Sequence, residues 1–194
     1  GKLKADKDNA NQSIYINQAK YITKPNGVLS IAVQHAGNTQ SSEEEVIVIQ
    51  KLINELKTGT FTDKNGNISP VTDNDILIIA PYNMQVNLLK EKLKGDFKIS
   101  TIDGIQGQEA PVVIISMTVS DVVESSRGLD FVLDINRLNV AVSRAQALAV
   151  IVANEGLERS HVNNLKQMEK VGFFIKLTEN LDNVSLLQNS ELRV

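Results

Sequence analysis

The 194-residue sequence contains no cysteine, which removes disulfides, thiol nucleophiles and Cys-ligated zinc together. It holds two histidines, His35 and His161, too few for a His-rich metal site or a redundant acid–base pair. It has no bulk positive charge: 20 Lys and Arg stand against 23 Asp and Glu, for a net charge of −3. Any contact with nucleic acid must therefore come from a local site and not from a polycationic surface. No apolar run approaches the ~18 residues of a membrane span, and no secretory signal opens the chain. A cytoplasmic protein without a membrane partner is expected. The initiator Met is missing too, so the sequence reads as a piece of something longer.

Phosphate chemistry is equally marked by absences. Neither G-x-x-x-x-G-K-[ST] nor G-x-G-x-x-G occurs. No apolar strand ends in the Asp-Glu pair that would hold Mg²⁺ and position a water, and two scattered histidines make no Ser-His-Asp triad. If the chain takes part in catalysis, it supplies half of a site. What is present is enough for a real core: 42% of residues are hydrophobic and 22% charged, in a length typical of one domain.

The first 27 residues carry a local excess of lysine, with Ser13–Ile16 and Tyr21–Thr23 as candidate short strands, and read as a loosely attached lead-in. From Val28 a regular rhythm begins. Val28–Val33 is a β-rich run. Ser42 with Glu45 three residues on predicts a capping box, in which hydroxyl and carboxylate each satisfy an orphan amide. Val46, Ile49, Ile53 and Leu56 then follow at helical spacing, with Gly59 as the C′ residue. Thr60–Thr72 reads as a polar loop with an Asn65-Gly66 turn. Asp75–Ala80, Phe97–Ile102, Val112–Met117 and Ala147–Ala153 are further strands, the most apolar of them fit for burial on both faces. Helices are expected over Asn83–Lys94, Asp134–Gln146 and His161–Val171. The alternation predicts an α/β open sheet, mostly parallel, with helices on both faces. The main unit spans 28–172, with 1–27 as lead-in and 173–194 as a polar tail. In such sheets ligands gather at the carboxyl ends of the strands.

Three stretches carry candidate chemistry. In Ala80-Pro81-Tyr82-Asn83, Tyr82 and Asn83 offer a ring and an amide beside a strand end, suited to a base or a sugar–phosphate backbone; alone, the fragment reads as an ordinary strand-to-helix turn. In the stretch from Ser100 to Glu109, two glycines allow close backbone approach. There Thr101 can donate to a phosphate, and Gln106 and Glu109 can reach a ribose or phosphate. A glycine-assisted loop explains the same residues equally well. In the third, Arg137 and Arg144 lie seven apart and would share one helix face, with Leu138, Ala141, Val142 and Ala145 as the docking stripe. Guanidinium groups suit phosphate, although solvated surface arginines are the commoner case.

Taken in order, "STIDGIQGQEAPVVIISM", "RGLDF" and "NRLNVAVSRAQALAVIVA" resemble the second RecA-like domain of a superfamily 1 helicase. The branch is the 5′-to-3′ one that includes the nonsense-mediated-decay RNA helicase and the coronavirus-type helicases. Within it the reading is most similar to bacterial proteins that join this motor to a RecB-like nuclease. The likeness runs from about Val28 to Ala153. It implies a RecA-like, P-loop NTPase-type fold and assigns roles by position. Arg144 matches an arginine finger that reaches the γ-phosphate. Gln106, Gly107 and Glu109 match the motif V stretch facing the nucleotide. Thr101 and Asp103, with Tyr82 and Asn83 of motif IV, match positions lining the single-strand channel. Arg137 matches the first motif VI arginine, which touches nucleic acid or couples the two sites. His35 to Ser42 resembles a Gly/Asn/Ser segment of the family more weakly, and His161 is left as structural.

The resemblance implies ATP and Mg²⁺, bound mainly by a first RecA-like domain with Walker A and B motifs that this sequence does not contain. No metal ligand is assigned within this chain. The implied partners are that first domain, single-stranded nucleic acid (DNA in preference to RNA) and a fused nuclease domain. The isolated chain should then be an inactive fragment of an ATP-dependent helicase. Two rivals stay open: a standalone nucleic-acid-binding adaptor, which would need neither Glu109 nor Arg144, and a nucleotide-sensing α/β domain.

Overall fold

The computed structural model describes residues 11–105, 107–120, 128–179 and 184–185. Six parallel strands form the main sheet in the order β6-β5-β7-β8-β2-β9: Lys98–Thr101, Ile76–Ala80, Ala110–Ser116, Ala145–Asn154, Gly27–Val33 and Val184–Ser185. Strands β5 and β7 are buried along their whole length, as a parallel sheet covered on both faces requires. Successive side chains sort to opposite layers. Ile76, Ile78, Val112, Ile114, Leu148 and Val150 face one core, beneath α1 (Glu43–Leu56) and α2 (Asn83–Lys92). Leu77, Ile79, Val113, Ile115, Ala149 and Ile151 face the other, beneath α3 (Leu129–Val132), α4 (Ile135–Val142) and α5 (Leu165–Glu179). This is the open α/β sheet with helices on both faces that the alternation predicts.

Several local expectations are corrected. Thr60–Thr72 is not a plain loop: β3 (Thr60–Thr62) and β4 (Ile68–Pro70) form a hairpin, and β1 (Ser13–Tyr15) joins it as a small antiparallel sheet. Asp63 closes the hairpin by accepting from the amides of Asn65 and Asn67 at 2.8 and 2.9 Å, and Gly66 takes the left-handed turn at φ 84. Of the segment before Val28, residues 11–27 are held down, not loosely attached. Ile14 and Ile22 are core residues, and the Tyr21 amide donates to the Glu55 carboxylate. Tyr21–Thr23 is not a strand. Gly59 does not serve as a left-handed cap; a Cβ there would lie 2.6 Å from the Tyr15 carbonyl oxygen, so close passage of β1 is what requires glycine.

The end of the chain differs as well. The last long helix begins at Leu165, four residues later than expected, and runs through Gly172 to Glu179 because Phe174 packs it onto the sheet. Val184 then pairs with Ile31 at the sheet edge. The helix expected over Asp134–Gln146 ends at Val142 with Ser143 as C-cap, and β8 starts at Ala145. Parallel pairing of Ala145 with Ala110 claims that backbone for the sheet. No helix among the described residues is long and apolar enough to cross a membrane.

Candidate nucleotide and nucleic-acid interface

The residues singled out above fall into two groups at opposite ends of the strands. At the carboxyl ends, β5 delivers Tyr82 and Asn83, and the neighbouring β6 delivers Thr101 and Asp103; Ala80 and Thr101 are paired partners in the sheet. Asn83 opens α2 and is exposed. Thr101 precedes a 3₁₀ turn, Ile102–Gly104, which carries Asp103 into solvent. Helix α4 starts beside this turn, capped by Asp134, whose Oδ1 accepts from the Arg137 amide at 2.9 Å. The Arg137 guanidinium forms an ion pair with Asp103 and lies over the Phe131 ring, 4.3 Å from its centroid.

Tyr82 is placed differently from expectation. Its ring is 4% exposed and packs on Phe131 with centroids 5.3 Å apart. Its face is taken by Phe131 and is not presented to a passing base. The Tyr82–Phe131–Arg137 stack was missed from sequence because Phe131 has no polar chemistry of its own. Only its place in "RGLDF", three residues before the Asp134 cap, pointed to this surface.

The second group lies at the amino ends of β7 and β8. Glu109 directly precedes β7 and Arg144 directly precedes β8, and the Ala110 amide donates to the Arg144 carbonyl at 3.1 Å. Sheet pairing therefore brings these two residues side by side. Gly107 stands two residues upstream at φ 75 with open space around it, a conformation that favours glycine. Gln106 lies outside the described residues. Glu109 and Gln146 line a cleft of about 250 Å³ whose far wall is the hairpin, through Phe61, Asp63, Lys64 and Asn65. The early end of α4 has a further consequence: Arg144 stands beyond the helix, so it does not share a helical face with Arg137.

Arg144 carries the sharpest electrostatic anomaly. Its Nε is buried without any hydrogen-bond partner, as is Oδ1 of Asn139 on α4. No described carboxylate pairs with Arg144. A guanidinium has five donors and no acceptor, so an orphaned buried donor on it fits an incoming anion.

A third cluster is entirely buried and was underestimated. Glu45 is 0% exposed. Its carboxylate does not return to the Ser42 amide, so only half of the predicted capping box exists: Ser42 Oγ accepts from the Glu45 amide at 3.1 Å. The Ser42 amide donates instead to Gln85 Oε1 at 2.7 Å. The freed carboxylate crosses to the ends of β7 and β2. It accepts from the Thr118 amide at 2.9 Å, from the Ser116 hydroxyl and from His35 Nε2 at 3.2 Å. The Glu45 contact is a hydrogen bond in the tautomer that carries the ring proton on Nε2. His35 Nδ1 meets the Ser120 hydroxyl at 2.8 Å, which also accepts from the Asn38 amide at 2.9 Å. Thr118 sits at φ 75, a costly conformation for a β-branched residue, and the Glu45 carboxylate secures its amide. Nearby, burial pushes the Glu44 carboxyl up, but hydrogen bonds from its own backbone, Asn38 and Ser42 outweigh it and leave the group lowered. Among the described residues no group of three or more His, Asp or Glu could hold a metal ion.

The open parallel sheet thus carries Arg144, half-buried with an unpartnered Nε, at the strand entrances and a cation–carboxylate–aromatic cluster at the opposite ends of the strands. Residues 1–156 match the AAA domain family AAA_12, and the chain belongs to that family. Among curated proteins it is similar to the DNA polymerase alpha-associated DNA helicase A of Saccharomyces cerevisiae, at 33% identity over 135 residues, covering 66% of this chain and 19% of that protein. It is also similar to an uncharacterized ATP-dependent helicase of Caenorhabditis elegans, at 33% identity, covering 66% of this chain and 8% of that protein. Helicase sen1 of Schizosaccharomyces pombe is 30% identical over 125 residues, covering 60% of this chain and 7% of that protein. The chain thus spans between 7% and 19% of the length of these relatives.

Proposed function

We propose that this chain is the second RecA-like motor domain of an ATP-dependent nucleic-acid helicase of superfamily 1, in its 5′-to-3′ branch. The observation that carries the reading is Arg144, a buried guanidinium nitrogen without a partner at the entrance of β8, beside Glu109. In this reading Arg144 is the arginine finger. It meets charge that spreads over the γ-phosphoryl oxygens of ATP held by a Walker-bearing first domain, and such fingers are worth roughly 10³–10⁵ in rate. Gln106, Gly107 and Glu109 face the nucleotide. Mg²⁺ belongs to the first domain.

Asn83, Thr101, Asp103 and Arg137 form this domain's side of the single-strand channel, with Tyr82 bracing it from beneath. DNA is the preferred strand; the relative named a DNA helicase supports that preference. A fused RecB-like nuclease rests on the motif resemblance alone. A standalone adaptor would have no use for an arginine with an unsatisfied buried Nε at the strand entrances, away from the strand-channel residues.

The test joins this chain to its Walker-bearing domain and compares wild type with Arg144→Ala. Turnover should fall by about 10³-fold or more while ATP affinity stays near wild type, because the interaction peaks in the transition state. Normal turnover with weakened ATP binding would reduce Arg144 to a ground-state contact and sink the assignment.

A further inference from the structure

Arg137 is engaged on two sides, and the two partners are unlike. On one side is the Phe131 ring, itself backed by Tyr82 at 5.3 Å; Tyr82 belongs to the core beneath α4, and Phe131 is half-buried against it. On the other is Asp103, whose side chain is 69% exposed against 24% for Arg137. Among the described residues no other carboxylate pairs with this guanidinium, since Asp134 spends its Oδ1 on the Arg137 amide. An exposed ion pair contributes little to stability because water and salt screen it. A guanidinium–phosphate contact is charge-assisted and matched in shape. The ring is therefore the lasting partner and the carboxylate the exchangeable one.

Resting on the strand-channel reading, we propose that Asp103 is a competitive gate on Arg137. Its carboxylate holds the guanidinium where a phosphodiester of the strand would sit. Single-stranded nucleic acid binds by displacing Asp103, while Phe131 and Tyr82 keep the guanidinium plane in place. The exchange has a thermodynamic signature. A phosphate neutralised by an unpaired arginine releases condensed cations, steepening log K against log salt by about 0.7 per contact on a single strand. A displaced Asp103 attracts cations in return, but one isolated carboxylate draws them more weakly than the strand does, so the release is offset only in part. In the native chain Arg137 then adds less than a full contact to the salt dependence, and the domain grips the strand more weakly than its arginine suggests. The same weakening would let a strand step past.

The experiment titrates salt against binding of a fluorescein-labelled oligo-deoxythymidylate by the 194-residue chain joined to its Walker-bearing domain, read by anisotropy. The arms are wild type, Asp103→Asn, Asp103→Ser, Arg137→Ala, the Asp103→Asn/Arg137→Ala double variant and Glu91→Gln. Glu91 on α2 is 72% exposed, so Glu91→Gln adds the same unit of charge away from the pair. Asp103→Asn and Asp103→Ser should bind about two- to fivefold tighter at low salt, the range that removing a competing exposed pair allows. Their slopes should steepen by up to about 0.7. Arg137→Ala alone should lie near wild type, and adding it to Asp103→Asn should erase the gain. If the Asp103 variants do no better than Glu91→Gln, the gain is bulk charge and the gate is refuted. If they bind more weakly than wild type, Asp103 is itself a strand contact and the gate is again refuted. If no arm binds the oligonucleotide, the strand-channel reading fails and takes the gate with it.

Discussion

Removing the Glu45 carboxylate tests whether the buried network at the strand ends organises this edge of the sheet. Glu45→Ala would strand three donors in a region closed to water: the Thr118 amide, the Ser116 hydroxyl and His35 Nε2. A buried donor left unmade costs about 1–3 kcal/mol, and breaking a buried charged cluster by deleting one member costs about 3–5 kcal/mol. Gln85 Nε2 donates to Ser116 Oγ at 3.0 Å, so the Ser116 hydroxyl proton loses its acceptor. His35 can move its proton to Nδ1 and donate to the Ser120 hydroxyl, but the Thr118 amide cannot move and also loses what secures its left-handed backbone. The expected loss for Glu45→Ala is therefore about 3–5 kcal/mol, out of the 5–15 kcal/mol typical of a domain. Glu45→Gln keeps one acceptor oxygen but points an NH₂ at existing donors, and should lose about 1–3 kcal/mol. Urea unfolding followed by circular dichroism reads both. With a slope near 2 kcal/mol/M, the midpoint of Glu45→Ala should fall by roughly 1.5–2.5 M. A loss below about 1 kcal/mol for Glu45→Ala would mean that water or local rearrangement satisfies these donors, and the network would not be what holds Thr118.

Other outcomes follow from the same structure. The Lys57 ammonium holds the Asp73 carboxyl below its usual range, and Lys170 does the same for Asp130. Because the folded values are depressed, their stabilisation is present above about pH 4, the unfolded value, and is lost as pH falls through the folded one. The melting temperature of Asp73→Asn should thus trail wild type at pH 6 and converge with it near the acid limit; a constant offset at all pH values would contradict the assignment. Gly107→Ala forces an L side chain to φ 75 and should cost about 1 kcal/mol in stability, with lower ATP turnover in the joined motor if that backbone faces the nucleotide. Asn83→Ala and Thr101→Val remove neutral contacts, so they should weaken strand affinity and leave the salt slope unchanged. A reduced slope would show that they act through phosphate charge.

The sheet was legible wherever burial on both faces left a continuous apolar run. ILIIA, VVIISM and ALAVIVA could be little else between helical periods, and Ser42 marked the start of α1. The β3–β4 hairpin was not legible because Ile68–Pro70 is exposed throughout, so no apolar alternation announces it. It exists through pairing with β1 and the Asp63 turn. Residues named by the motifs do come together in pairs, Glu109 with Arg144 and Asp103 with Arg137, but periodicity misjudged Arg144 by extending α4 into residues that the parallel sheet claims. Glu45 was misread for a related reason. Local capping rules assign its carboxylate to Ser42, three residues away, whereas Thr118, distant in sequence and adjacent in space, offers a better-placed donor. Tyr82 illustrates a third limit: sequence places a ring at an edge but not which way its face turns.

Helix α4 is short, about 12 Å at 1.5 Å per residue over Ile135–Val142. Leu138, Ala141 and Val142 seat it on the sheet, with Arg137 near one tip and Arg144 just past the other. The Arg144 carbonyl is fixed in the sheet by the Ala110 amide, so the helix sets how far from that anchor, and in which direction, Arg137 stands. Inserting or deleting a residue between Leu138 and Val142 would shift Arg137 along the axis by about 1.5 Å and turn it by about 100° about the helix, even with every named side chain still present.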